Sequence, residues 1–418
     1  MKIDDIKLTI IKDSRQEDTL EAVMRNGPFE VVSSVPHGKS RGEREVYLAD
    51  SPTALKNFEK IKPIILKQKF ESLIDFDHFL LQLDGTDNKK NLGGNLTLVL
   101  SQTFARLAAK LTGLELFKYL KEELLAIAPE LQNTLQKVPS PYFERSEKKG
   151  TPYFLFNLIN GGQHALYGPK IQEYLIVPKI DNPRVSLELA EIFFAGLKEY
   201  FLKEYGEIKF GDEGGLLMPE ENYEKPLEVF NQIRTELKLE KDVGFSLDAA
   251  ASSFYDKNIK EYCLFLDKSI SREELLDIYK ELNKKYHLVS LEDPFEENDF
   301  ENFKKINSLF ARKTIIIGDD LTVTTPKLLE KASEQKAISG IIIKPTQIGT
   351  VTETLKTMAL AHQKQIKIIV SHRSAETLDD FIADLAVAGN AWGLKAGAPQ
   401  PEERMVKYRR VITILSKS

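Results

Sequence analysis

Six titratable side chains, Asp248, Glu292, Asp319, Lys344, His372 and Lys395, recur at roughly the length of one strand–helix unit, apart from a longer first gap. Each stands at or just past the end of a short apolar run. Val243–Leu247 leads to Asp248, Leu288–Leu291 to Glu292-Asp293-Pro294, and Thr314–Ile317 to Gly318-Asp319-Asp320. Gly340–Ile343 ends at Lys344, Ile368–Val370 at Ser371-His372-Arg373-Ser374, and Trp392–Leu394 at Lys395. Singly, an acid at a strand end is more often hydrogen-bonded or solvated than functional. Three such acids brought into one mouth repel one another unless a cation lies between them. Oxygen donors without a thiolate favour a hard ion such as Mg²⁺. A lysine beside that ion and a second lysine loses its proton more readily, as a general base requires. It could then take a weakly acidic proton next to a carboxylate, the metal stabilising the enolate. Read otherwise, the lysines are snorkelling surface amines or Schiff-base formers. Ser371–Ser374 supplies a hydroxyl, an imidazole and a guanidinium suited to anions. Beside the acids and lysines it points to a phosphorylated substrate.

These residues need a scaffold that delivers strand ends to one place. Strand and helix signals alternate after residue 150: strands over Phe154–Ile159 and Glu173–Pro178, helices over Arg184–Glu204, Tyr223–Leu237 and Arg272–Lys284, and a hairpin over Tyr255–Leu266. Repeated units of this length fit a closed (β/α)8-type barrel with its functional groups at the strand C-termini. A doubly wound open sheet is the alternative, weakened by the lack of a glycine-rich phosphate loop. Before residue 140 the pattern is α+β: strands over Ile6–Ile11, Thr19–Met24 and Phe29–Ser34, then helices over Ser51–Lys62, Leu96–Leu111 and Leu114–Ile127. Pro63 is a stop or kink for the first helix. Gly93-Gly94-Asn95 caps the second, and Asp84–Asn88 reads as a capped turn rather than a calcium loop. Pro139, Pro141 and a charged run ending at Gly150 mark the boundary between residues 1–140, a small capping domain, and 145–418, the barrel. His37-Gly38-Lys39-Ser40-Arg41-Gly42-Glu43 reads as an exposed connection or a hinged lid.

Composition narrows the partners. A net charge of −5 lacks the basic footprint of a nucleic-acid binder. The acidic start and the absence of a run of ~20 apolar residues give no secretory or membrane signal. A single cysteine, Cys263, excludes an intrachain disulfide framework and fits a reducing cytoplasm. Its place in Tyr262–Phe265 predicts a buried, inert thiol in a strand.

Together these residues make the chain similar to the enolase family. The resemblance rests on Asp13-Ser14-Arg15, Leu83-Asp84-Gly85-Thr86, Asn160–His164, Gln172-Glu173, Gly211–Gly215, Leu247–Ala250 and Ser290–Phe295. It continues through Gly318–Thr324, Lys344 with Gln347–Thr350, Ser371–Ser374, Phe381–Val387 and Lys395–Pro399, in the family's order. It implies an eight-stranded barrel with an antiparallel start, an α+β cap, and a homodimer or higher homo-oligomer. It further implies Mg²⁺-dependent interconversion of 2-phosphoglycerate and phosphoenolpyruvate in glycolysis or gluconeogenesis. The resemblance makes Asp248, Glu292 and Asp319 ligands of a tight Mg²⁺. Ser40 becomes the lid serine that joins a second Mg²⁺ when substrate binds, which turns the first loop into a lid. Lys344 becomes the base, and Glu213, aided by Glu173, assists departure of the hydroxyl. His164 lies on a closing loop. Gln172 and Lys395 hold a small phosphorylated carboxylate, whose phosphate meets Arg373 and Ser374, with Ser371 and His372 in the same substrate-binding stretch.

The chain departs from the family pattern at the lid, where His37, Lys39 and Arg41 replace small residues around Ser40. It departs again at Gln16–Thr19, Thr346, Ala375 and Gln400-Pro401. None of these removes a group assigned to metal binding or proton transfer. They leave open another enolase-superfamily lyase or racemase, or a catalytically weakened enolase-like binding protein.

Overall fold

The computed structural model describes residues 1–36, 38, 42–135, 151–165, 167–310 and 313–417. Ser40 with its cationic neighbours, and the expected boundary near residues 138–150, lie outside the described residues. The first three strands, β1 (Asp5–Lys12), β2 (Asp18–Asn26) and β3 (Phe29–Ser34), form an antiparallel meander. Gly27 turns the second hairpin at φ +52°, a conformation costly for a residue with a Cβ. Alternate residues Leu20, Ala22 and Met24 are buried against the helix Gly94–Thr112, which is apolar along most of its length.

Two helical expectations need correction here. The helix Ser51–Ile65 runs through Pro63. The missing N–H falls in the last turn, and the acceptor it deprives belongs to solvent-exposed Glu59. A helix over Leu73–Asp84 went unread. Ser72 starts it by accepting from the Asp75 N–H, and Gly85 ends it in the left-handed region.

The barrel strands are β4 (Tyr153–Asn160), β5 (Glu173–Pro178), β6 (Val243–Asp248), β7 (Ser290–Glu292), β8 (Ile315–Gly318), β9 (Gly340–Ile343), β10 (Lys367–Ser371) and β11 (Gly393–Lys395). They pair in chain order, and β11 pairs in parallel with β4, so the sheet closes on itself. Strand β5 is antiparallel to both β4 and β6, which is the antiparallel start. Closure excludes the open doubly wound alternative.

The apolar runs do not alternate with polar residues because both faces are buried. Ile315, Ile317, Ile342 and Ile369 fill the barrel interior with Leu175 and Val177. Ile316, Ile341, Ile343 and Val370 face the surrounding helices. The period of 2 carries this parity beyond each run. Glu173, Asp319, Lys344 and Ser371 share the inward face of their strands with Leu175, Ile317, Ile342 and Ile369. Asn157 likewise shares the face of Tyr153 and Leu155. In β6 and β7 the inward residues are Ser246 and Ser290, whose hydroxyls touch, and Asp248 and Glu292 follow two residues on.

The cap is tied to the barrel by buried polar contacts. Asp77 Oδ2 accepts from the Thr352 N–H at 2.8 Å and Ser101 Oγ from the Val351 N–H at 2.9 Å, both at the start of the helix Val351–Gln363. The expected strand around Cys263 is only Glu261–Tyr262, paired with Tyr255–Asp256. Cys263 is half-buried rather than buried. Among the described residues, no helix is long and apolar enough to cross a membrane.

Candidate active site

The barrel mouth holds a dense set of buried charges. Lys395 Nζ lies 2.8 Å from both carboxylate oxygens of Glu292, and 3.1 Å from Asp248 and Glu173. Burial alone would lower the pKa of this ammonium, but the surrounding carboxylates hold it well above the ordinary lysine value. Glu292 and Glu173 are pushed up, first by burial and then by neighbouring acids. The Lys344 ammonium touches Asp319, whose other oxygen accepts from Gln347 Nε2 at 2.9 Å. Burial would again lower Lys344, yet Asp319 keeps it above the ordinary value. Each of these two lysines is paired with carboxylates, and that pairing favours its protonated form.

The three acids expected to share a cation are all brought to this mouth, but not into one closed triangle. Lys395 bridges Asp248 and Glu292, and Lys344 holds Asp319. Among the described residues, carboxylate or imidazole groups of three within 4.8 Å of one another are His164–Glu173–Glu213 and Asp293–Asp319–Asp320. Asp293 is committed to the loop, accepting from the Asp319 and Asp320 N–H groups at 2.9 and 2.8 Å. The donor set of Asp248, Glu292 and Asp319 nonetheless fits a divalent cation. All three are buried, all are oxygen donors, and all already accept positive charge from an ammonium.

The opposite wall comes from β4, β5 and the loops beside them. His164 Nδ1 lies 3.5 Å from Glu213 and 3.8 Å from Glu173. Glu213 accepts from Asn157 Nδ2 at 2.9 Å and faces His372 Nε2 at 3.4 Å. Burial would raise Glu213, but His372 and His164, with Arg404 behind them, hold it well below the usual carboxylate range. Glu173 and Glu213 are thus driven in opposite directions, one toward carrying a proton and one toward carrying charge. Gln172 lines the same cleft beside Asp248 and Lys344, its N–H donating to the Asp248 carbonyl at 3.1 Å.

At the rim, Arg373 is almost fully buried and makes a two-armed contact with Glu45, at 2.9 and 3.2 Å. It also donates to Thr346 Oγ1 at 3.0 Å. Gly38 passes so close that a Cβ there would stand 2.0 Å from the guanidinium. Ser371, His372 and Ser374 are buried alongside.

Four residues around these groups went unassigned in the sequence: Asn157, Asp293, Glu45 and Arg404. Asn157 carried a readable signal, a lone amide inside the apolar run Phe154–Ile159. Asp293 adjoins Glu292. Glu45 and Arg404 look like ordinary charges on a loop and a helix.

A capped, closed barrel with interleaved acids and lysines at its mouth defines the class: an α+β-capped barrel lyase. Family models described as "Enolase, N-terminal domain" and "Enolase, C-terminal TIM barrel domain" match residues 3–120 and 149–417. An enolase of Methanopyrus kandleri is 36% identical over 99% of this chain and 95% of its own length. One from Sulfurisphaera tokodaii is 35% identical over 99% and 95%, and one from Thermococcus gammatolerans 36% identical over 97% and 92%. The chain belongs to the enolase family.

Proposed function

We propose that this chain is a Mg²⁺-dependent enolase that interconverts 2-phosphoglycerate and phosphoenolpyruvate. The observation that carries the proposal is the division of the mouth. Lys344, Lys395 and the carboxylates Asp248, Glu292 and Asp319 occupy one side. Glu173, 3.1 Å from Lys395, links these to Glu213 and His164 across the mouth, and Arg373 stands at the rim.

Asp248, Glu292 and Asp319 would hold the tighter Mg²⁺, and Ser40 would join a second one with substrate. Bound there, the metal supplies positive charge against the carboxylates and against the doubly negative enolate. Lys344 Nζ, relieved of Asp319 and having released its ammonium proton to solvent, takes as a neutral amine the proton from the carbon beside the substrate carboxylate. The hydroxyl leaves from the next carbon toward Glu213, aided by Glu173, taking one proton from this pair and departing as water. Lys395 and Gln172 hold the carboxylate end, and Arg373 with Ser374 the phosphate, flanked by Ser371 and His372. A buried site that excludes water strengthens each of these charge interactions. The working form in this proposal is a cytoplasmic homo-oligomer.

The test follows the ultraviolet absorbance of the enol phosphate with 2-phosphoglycerate, with Mg²⁺ and then with chelator. Turnover that chelation abolishes is expected. Tight substrate binding without turnover at saturating Mg²⁺ would instead establish a binding protein. Lys344→Ala should lower kcat by at least ~10²-fold, and near-normal turnover would remove Lys344 from the role of base.

A further inference from the structure

Arg404 is fully buried on the first turn of the helix Glu402–Ser416, and among the described residues it hydrogen-bonds no carboxylate. Its Nη1 donates to the carbonyl of Arg373 at 2.7 Å and meets His372 Nδ1 at 2.5 Å; its Nη2 donates to the carbonyls of Ser374 and Asp212, at 2.6 and 3.2 Å. Burying a guanidinium that hydrogen-bonds no carboxylate costs several kcal/mol per ion, opposed here by the more distant Glu213 charge, so a merely structural position would more cheaply hold an apolar residue. The loops it joins are built around it. Gly397 at φ +89° leaves only 3.0 Å between a Cβ and either Arg404 Cδ or the Glu213 carbonyl. Gly214 at φ +80° packs still more closely on Pro401, where a Cβ would stand 2.4 Å from the ring.

A guanidinium can only donate. His372 Nδ1, in contact with Arg404, must therefore accept, and the ring's one proton resides on Nε2. Nε2 lies 3.4 Å from Glu213 Oε2 without forming a hydrogen bond in this structure. We propose that Arg404 is a positioning residue that fixes His372 as the neutral Nε2–H tautomer and so keeps a hydrogen-bond donor, never an acceptor, facing Glu213. The proposal rests on Glu213 having the role given above.

The charged groups facing His372 are Glu213, Arg404 and Glu376. Burial and then Arg404 depress the imidazole pKa while Glu213 and Glu376 raise it, with the balance at about 4. Removing the guanidinium takes away a depressing charge. His372 then takes up a second proton at higher pH, and the tautomer is no longer dictated.

The experiment is histidine-selective ¹⁵N NMR of the whole protein, the ring assigned with His372→Gln. Expected is an unprotonated Nδ1 and protonated Nε2 for His372 from neutral pH down to about pH 5. An Nδ1–H signal in the unaltered protein overturns the proposal whether or not any variant folds. Arg404→Met should give mixed tautomers, an acid limb of kcat shifted upward by about one pH unit, and a ~10²-fold loss in kcat with KM within ~3-fold. Arg404→Lys, which keeps the charge, should restore most of the pH profile. A folded Arg404→Met with the native tautomer and acid limb also overturns it. The ring signals need no turnover, so an enzyme inactive toward 2-phosphoglycerate but with the expected tautomer would sink the functional reading and leave this one standing.

Discussion

Replacing Lys395 with methionine removes the charge that holds three acids together while keeping much of the side-chain volume. Its ammonium lies within 3.1 Å of Glu173, Asp248 and Glu292, and only 1% of the residue is exposed. Removing one partner of a buried pair costs about 3–5 kcal/mol, because the other charge is left uncompensated. Proton uptake by Glu292 and Glu173, already pushed upward, limits the loss to the lower part of that range. For a barrel of this size, with about 2 cal/mol/K of unfolding entropy per residue, the expected fall in Tm is roughly 5 °C. Differential scanning calorimetry measures it in the presence of chelator. Added Mg²⁺ should then raise the Tm of Lys395→Met more than that of the unaltered protein, since the cation would occupy a cluster with no competing ammonium. A variant that melts within ~1 °C of the parent and responds identically to Mg²⁺ would refute the reasoning.

Glu45→Gln leaves the buried Arg373 guanidinium beside a neutral partner, and the resting protein should lose about 3–5 kcal/mol. Inorganic phosphate should then raise its Tm more than that of the parent; equal responses would show that Glu45 does not compete for Arg373. At the junction between cap and barrel, burial pushes Asp77 up to about 7 from 3.8. The folded protein keeps a proton that the unfolded chain releases, so Asp77's contribution to stability falls as pH rises from about 4 to about 7, by about 4 kcal/mol in all. Asp77→Asn, which can still accept from the Thr352 N–H, should flatten that dependence in chemical denaturation, and superimposable pH profiles would exclude Asp77 as its source.

The barrel was legible because its strands from Val243 onward are short and regularly spaced, and because most of them end at or beside a charge that a core could not tolerate. The inward parity of Asp248, Glu292, Asp319, Lys344 and Lys395 follows from the strand period once the ends are located. The ring's closure was less accessible: nothing in Tyr153–Asn160 or Gly393–Lys395 announces that residues 240 positions apart pair. Pro63 misled because a proline in a helix's final turn sacrifices one hydrogen bond at an exposed carbonyl, a cost the helix accommodates. The pairing of Lys344 with Asp319 was not legible, because spacing shows which charges share the mouth but not which pair with which. Arg404 was invisible because its function depends on a helix turn packing against a loop from another part of the ring. The family resemblance added the roles of Glu213 and Glu173, which no periodicity supplies.

The pairing of β11 with β4 has a consequence for the chain's emergence from the ribosome. Until Gly393–Lys395 is available, β4 and β10 present unpaired edges, and Glu173, Asp248 and Glu292 lack the ammonium that neutralises them. A nascent chain halted before Lys395 is thus both edge-exposed and electrostatically self-repelling. Synthesis of this one strand closes the hydrogen-bonded ring and neutralises its acidic mouth in the same event. Released chains truncated before Gly393 and chains that include Lys395 should therefore differ sharply in protease resistance.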